Sequence, residues 1–427
     1  MTDWIGAAEA ARRLGIKQAS LYSYVSRDVL TRRRGADGRT SLFQAGEVEG
    51  LARRGRPRRV RGTGELVIET ELTEIIGGHL RYRGQDAIAL AAERTFEDVA
   101  GLLWTGSLGD PGSGGPWRAT AEAITAGTAA QAALPAGTLP LERLQVIVPA
   151  MAATDPLRLH LDPPAVLAAA RSLIAGMVEC LPPATSAPHS EPDSAPHSEP
   201  RPDLHADLRP DIASGTIAER LAPKLCPGQL TPDLTSALQA ALVLLADHEL
   251  AASTFAARVA ASVRADPYAV VATGLGALGG PLHGGASLGA EVMLGSARGP
   301  ADAARVVGDL LRRGERVPGL GHFVYQTGDP RAVALMEILR CAVPGSARLA
   351  VADALLAEAR RRALPEPNID FALAVLGAVA GLIPGAGEAV FAVARVAGWL
   401  AHALEEYARN TPIRPRGIYT GPAAASS

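Results

Sequence analysis

Four polar segments break the strongly apolar second half of the chain. "LADHELAASTF" sets Asp247, His248 and Glu249 in a hydrophobic run, and "GGPLHGG" isolates His283 between pairs of glycines. "VPGLGHFVYQTGDPRA" carries His322 and Arg331, and "PEPNIDF" puts Asp370 at the head of another apolar run. Ionisable groups in such surroundings need partners or a ligand to offset their desolvation. Imidazole and carboxylate are the side chains of proton transfer, so acid–base work on a bound molecule is the chemistry to look for. Taken singly, each has a plainer explanation: a core histidine satisfied by a neighbour at His248, a turn at His283, a helix cap at Asp370.

Two other chemistries fail on spacing. Gly274, Gly276 and Gly279 satisfy G-x-G-x-x-G after an apolar run, but Gly279-Gly280-Pro281 breaks the chain where a dinucleotide site must open into a helix. His248, His283 and His322 form no i, i+4 pair, and His189, His197 and His205 recur every eight residues with no Cys nearby, so no metal is expected.

Stepping outward, these segments must be positioned by helices. Ala, Leu and Gly dominate and aromatics are few, which suits a mainly α fold. The run from Pro232 through the Asp247-His248-Glu249 segment to Val263 keeps helical periodicity for about eight turns, so one long helix is expected there. "FALAVLGAVAGLIPGAGEAV" approaches the length of a membrane span, but Pro384 and its glycines predict a buried helix, a turn and a second helix. Three dispersed cysteines, Cys180, Cys226 and Cys341, and the absence of a signal-like N-terminus suit a reducing cytoplasm and no membrane. Residues 184–210 contain "SAPHSEP" twice and are too polar to bury apolar surface, which predicts a disordered, looped-out insertion.

Charge divides the chain. Residues 1–62 hold 14 Lys and Arg against 6 Asp and Glu, and the remainder holds 28 against 38. Residues 1–52 resemble a winged helix-turn-helix of the MerR and excisionase type. "AAEAARRLGIKQASLYSYVSR" reads as helix, turn, helix, and "LTRRRGADGRTSLF" as two strands around a Gly35–Gly38 turn before a third helix over Glu47–Arg53. The resemblance implies DNA contact through Gln18, Ser20, Tyr22 and Arg27 on the second helix and Arg33, Arg34 and Arg39 on the wing. A basic linker, 53–65, follows with an Arg-Gly-Arg-Pro similar to a minor-groove hook.

From 66 to 422 the chain resembles the citrate synthase family. The carriers, in order, are "LRYRGQDAIALAAERTFEDVAGLLWTG", "LADHELAASTFAARV", "GPLHGGA", "VPGLGH" with "DPRA", "PNIDF" and "ARVAGWLAHALEEYARNTPIRPRGIYTG". The resemblance implies large and small helical domains, a homodimer, and condensation of acetyl-CoA as co-substrate with oxaloacetate, a 2-oxo dicarboxylate, to give citrate and CoA. No other cofactor is implied. Asp370 would remove the methyl proton, His283 would donate to the thioester oxygen, and His322 would polarise the oxaloacetate carbonyl. His248, Arg331 and Arg395 would bind its carboxylates, with Arg414 entering from the second subunit, and backbone of Val317, Pro318, Gly319, Leu320 and Gly321 would meet CoA. The chemistry is coherent: a carboxylate removes so weakly acidic a proton only if the developing oxyanion meets a donor at the same moment. A helix start beside His283 and Asp370 is expected to keep the ring neutral and the carboxylate ionised, and the glycines around His283 to let the thioester lie against the backbone. Leu245 and Ala251 stand where relatives carry other residues, so propionyl-CoA, as in 2-methylcitrate synthases, is the alternative substrate. A transcription regulator with a synthase-like sensor body is the alternative of a different class.

Overall fold

The computed structural model describes residues 4–14, 30–35, 40–48, 67–109, 115–185, 214–325, 327–417 and 419–421. By internal contacts the chain falls into two units, Met1–Glu69 with Arg414–Ser427, and Thr70–Ile413. The second unit thus begins a few residues after the expected boundary at 66 and ends before 422.

In the first unit, β1 (Trp4–Gly6), β2 (Arg32–Arg34) and β3 (Ser41–Gln44) form an antiparallel sheet in the order β1-β3-β2. Strand β1 was not expected; it pairs Trp4 with Gln44 and Ile5 with Phe43. Helix α1 (Ala7–Leu14) buries Ala10 and Ala11 against Leu30, Phe43 and Val48. The β2–β3 pair matches the two strands expected of the wing. Gln18, Ser20, Tyr22, Arg27 and Arg39 lie outside the described residues, as does most of the 184–210 insertion.

The second unit opens with a meander, an exception to the mainly α fold expected from composition. Strands β4 (Thr73–Ile76), β5 (His79–Tyr82) and β6 (Gln85–Asp86) pair in sequence order, turning at Gly77-Gly78 and Gly84, all with positive φ. The β-branched Thr73, Ile75 and Ile76 around a two-glycine turn favour the hairpin. The remaining elements are helices: α2 (Ala87–Glu93), α3 (Phe96–Thr105), α4 (Ala121–Ala132), α5 (Pro140–Ala152), α6 (Pro163–Cys180), α7 (Ile217–Leu225), α8 (Pro232–Leu245) and α9 (Ala252–Ser262). They continue with α10 (Pro267–Leu278), α11 (Ala286–Ser296), α12 (Ala303–Arg312), α13 (Pro330–Ala342), α14 (Ala347–Arg361), α15 (Ile369–Ala380) and α16 (Ala386–Arg409). Several starts repeat one device, a capping Thr or Asp followed by proline, as at Thr231-Pro232, Asp266-Pro267 and Asp329-Pro330. Among the described residues no helix is long and apolar enough to cross a membrane.

The single long helix expected over 232–263 is two helices. It breaks at Ala246–Ala251, where Glu249 adopts φ +54. The cause is the polar triplet: Asp247 and His248 find partners only off the helix path. The vacated carbonyls at the end of α8 are served by neighbours, Tyr82 Oη donating to Val243 and Leu244 and Gly398 N to Ala246. By contrast, the turn expected between α15 and α16 is present, with Gly381 and Gly385 at positive φ.

Helix α16 is buried on nearly every side and packs against α3, α5, α6, α8, α9 and α10. Small residues admit these neighbours. Gly274, the first glycine of the apparent dinucleotide motif, lies inside α10, where an added Cβ would sit 2.6 Å from the Trp399 ring. Gly276, two residues on, faces open space. Gly274→Ala is therefore expected to destabilise the protein by about 1–3 kcal/mol through overpacking. Gly276→Ala should instead stabilise it by about 0.5–1 kcal/mol by restricting the unfolded chain. Denaturant unfolding of both variants measures the two opposite signs.

Candidate active site

The break between α8 and α9 turns His248 inward. Its Nε2 lies 3.0 Å from Tyr325 Oη, and its ring meets that of His322 with centroids 5.2 Å apart. Burial, with Arg331, Arg395 and His322 adding to it, holds the His248 pKa well below the usual imidazole range. Tyr325 is buried, and the Arg331 guanidinium lies over its ring at 5.6 Å.

His322 follows a loop stitched to the start of α15. Gly321 N donates to Glu366 O at 2.8 Å, Asn368 N to Gly319 O at 2.9 Å, and Asn368 Nδ2 to Gly321 O at 2.9 Å. Three backbone groups of the expected CoA segment, Val317–Gly321, are thus already engaged by residues 366–368. Gly319 is required here by its φ of +76 and by Phe371, whose Cβ lies 2.8 Å from where its own would be. The His322 ring is fixed too, because Nδ1 accepts from Val324 N at 3.0 Å. Burial, reinforced by Arg331, lowers its pKa to about 4. A neutral ring accepting at Nδ1 carries its proton on Nε2, so it presents an N–H donor.

His283 lies in a tight turn that ends where α11 begins at Ala286. Ser253 Oγ, at the start of α9, sits 2.7 Å from Nε2, and the Phe391 ring packs edge-on at 5.7 Å. The ring is held neutral with a pKa of about 4; burial is the main cause and Arg395 adds to it, rather than the helix start alone. The glycines after His283 also have a reason other than the expected one. A Cβ on Gly284 would meet Leu278 at 2.8 Å, and one on Gly285 would meet Gly280 O and Pro281 at 3.1 Å, so they let the turn close on itself.

Asp370 does not cap α15. Asn368 does, its Oδ1 accepting from Asp370 N at 3.0 Å and Phe371 N at 3.3 Å. The Asp370 carboxylate instead accepts from Ser287 Oγ at 2.6 Å, one helical turn beyond His283. Helix α11, which starts just after His283, packs against α15 and so brings Ser287 to Asp370. The helix start was expected to keep this carboxyl strongly ionised. Burial outweighs it, and the pKa is raised to about 6 despite the Ser287 hydrogen bond and Arg331.

The two buried arginines differ. Arg331 is neutralised: Asp329 accepts from its Nε at 3.0 Å and Nη2 at 2.8 Å, and also from Ile369 N at 3.0 Å. Asp329 thereby ties α13 to α15. Arg395 is 1% exposed and donates only Nε, to Leu245 O at 2.8 Å, while Nη1 and Nη2 have no partner. Its guanidinium lies 4.5 Å over the Phe391 ring, and burial lowers its pKa to about 10. A buried guanidinium with both terminal nitrogens unpartnered has two donors to offer an anion. Arg414 belongs to the other unit and is exposed.

Sequence reasoning missed Ser253, Ser287, Tyr325, Asp329 and Asn368. Each lies within a few residues of an expected site residue in sequence or one helical turn from it, but nothing in the sequence marks which neighbour turns inward. Among the described residues no group of three or more His, Cys, Asp or Glu could hold a metal ion.

With this geometry in place, comparison with known proteins is specific. A family model described as citrate synthase, C-terminal domain, matches residues 61–416. Citrate synthase 2 of Bacillus subtilis (strain 168) is 39% identical over 213 residues, 48% of this chain and 56% of that protein, so the chain spans about half the length of that curated relative. The citrate synthase of Haloferax volcanii is 33% identical over 383 residues, 84% of this chain and 94% of that protein. Among solved structures, the Thermoplasma acidophilum citrate synthase, in ternary complex with carboxymethyl coenzyme A and oxaloacetate, aligns with a TM-score of 0.66 at 26% identity, covering 85% of this chain and 96% of that one. The chain belongs to the citrate synthase family.

Ser287→Ala removes the hydrogen bond that, among the described residues, steadies the Asp370 anion against its burial. The Asp370 pKa is expected to move further above about 6, as a carbon-detected NMR titration of the carboxyl would measure.

Proposed function

We propose that this protein condenses acetyl-CoA with oxaloacetate and water to give citrate and CoA, an acyltransferase reaction in which the acyl group becomes alkyl. The observation that carries this reading is Arg395, a buried cation with two unpartnered nitrogens beside a neutral histidine cluster and a carboxyl poised near neutrality. One oxaloacetate carboxylate satisfies Arg395, with His248 beside it, and Arg331 adds a second positive group whose charge is already balanced by Asp329. The His322 Nε2–H is aimed to polarise the keto oxygen.

Asp370 takes a proton from the thioester methyl. As it does so, the enol oxygen accepts a hydrogen bond from the His283 ring, whose Nε2 is already matched by Ser253. The methyl carbon then forms its bond to the keto carbon, and the keto oxygen receives a proton from the His322 side. Water finally cleaves the thioester, giving a carboxylate and the CoA thiol. A neutral imidazole suits the donor role because its proton is shared rather than lost. No metal or further cofactor is needed for these steps.

Two copies are proposed to assemble, with Arg414 completing the neighbouring site. Propionyl-CoA is the alternative acyl donor, and the 2-methylcitrate synthase 1 of Corynebacterium glutamicum is 35% identical over 183 residues. A thiol-release assay with acetyl-CoA or propionyl-CoA plus oxaloacetate separates these. Acetyl-CoA is expected to be the better substrate, with rate falling about tenfold per pH unit below pH 6, because the base must be deprotonated. Asp370→Ala and His283→Ala should each lower kcat by about 10²–10⁴-fold. Absence of thiol release from the unaltered protein with either thioester would overturn the reading.

The N-terminal unit supports a second activity. Strand β2 presents Arg32, Arg33 and Arg34 on an exposed edge, with Arg33 lying over Trp4 at 4.2 Å. We propose that this edge lies along a DNA backbone. Replacing Arg33 and Arg34 by Ala in the full chain should weaken DNA retention and flatten its salt dependence by about one charge per lost phosphate contact. Equal salt slopes for both proteins would argue against it.

A further inference from the structure

A stripe along α16 holds the turn that carries His248. Arg395 Nε donates to Leu245 O at 2.8 Å, Gly398 N to Ala246 O at 2.9 Å, and His402 Nε2 lies 3.2 Å from Asp247 Oδ2. Positions 395, 398 and 402 lie on one helical face and seat residues 245, 246 and 247 in order. The fit is close: a Cβ on Gly398 would come within 2.3 Å of Asp247 Oδ1.

Asp247 is fully buried, and Oδ1 has no hydrogen-bond partner. Oδ2 is bonded by Thr73 Oγ1 and His402. Burial works against its charge, yet His402, Arg395 and Thr73 together keep its pKa below the usual carboxylate value. The orientation of His402 is set from behind. Arg258 Nη1 lies 2.6 Å from Nδ1, and a guanidinium only donates, so Nδ1 accepts and the ring proton sits on Nε2 facing Asp247. Arg258 is itself fixed by Glu406 and by Glu405 at 2.8 Å, and Glu405 accepts from Glu71 N at 2.8 Å.

We propose that His402 is a positioning residue for the dicarboxylate pocket: its Nε2–H holds Asp247, and Asp247 holds the turn that sets His248 and the Leu245 carbonyl on which Arg395 rests. This inference rests on reading Arg395 and His248 as the carboxylate receptor. Asp370 stands on α15 and His283 in the turn before α11, each outside the 245–247 segment that the stripe holds, so loosening that segment acts first on the oxaloacetate side.

The test compares His402→Leu, which removes the donor, with His402→Gln, whose amide both donates to Asp247 and accepts from Arg258. Oxaloacetate affinity is measured by calorimetry as well as by KM. For His402→Leu, Kd and KM for oxaloacetate should rise about tenfold, with the acetyl-CoA KM unchanged within about twofold, and Gln should restore most of the loss. Should the Leu variant fail to fold, Thr73→Val carries the same test, with about a threefold rise expected from losing the other donor to Oδ2. Wild-type oxaloacetate affinity in a folded variant, or equal rises in both KM values, overturns the proposal. Failure of the unaltered protein to bind oxaloacetate overturns the carboxylate reading instead, so the two failures are told apart.

Discussion

One buried cation with two unpartnered nitrogens organises the candidate site. Arg395 lies in the middle of the most buried helix of the molecule, bonded once through Nε and unpartnered at both terminal nitrogens. An unpaired buried charge is among the costliest features a fold can carry, and it persists only where the surroundings hold it or a ligand completes it. Its field reaches outward: together with burial it keeps His248 and His283 uncharged, and it favours the ionised form of Asp370. Arg331, equally buried, imposes no such demand because Asp329 already answers it.

Asp370 and the imidazoles are balanced against the same low-dielectric surroundings with opposite results. Burial disfavours charge on every group, pushing the histidines down and the carboxyl up. One environment thus produces neutral hydrogen-bond donors and a carboxylate that takes up a proton near pH 6. Ser287 and Ser253 are small corrections on that background, one supporting the Asp370 anion and the other engaging Nε2 of His283.

Mechanical order comes from helix ends rather than helix middles. Asp329 and Asn368 each cap one helix and reach across to a second segment, so α13, α15 and the His322 loop share the same few hydrogen bonds. The α8–α9 break works similarly, its free carbonyls taken up by Tyr82, Gly398 and Arg395. A site built this way transmits small shifts among its parts, since few of the bonds are redundant.

The order of polar segments in an apolar chain was legible from residue types, because composition and motif spacing are properties of the sequence itself. So were the family resemblance, the buried helix pair around Pro384, and the failure of the glycine motif as a dinucleotide turn. The β4–β6 meander was not legible because its strands are too short for periodicity to mark them. The long 232–263 helix was misread because periodicity continues through Asp247 and His248; only partners distant in sequence, Gly398, His402 and Tyr325, make leaving the helix favourable. Likewise the ionisation of Asp370 followed from how deeply packing buried it, not from its place at a helix start. Residue identity fixes which groups are present and what each is able to do; desolvation and the partners brought in by folding decide which of them carry charge.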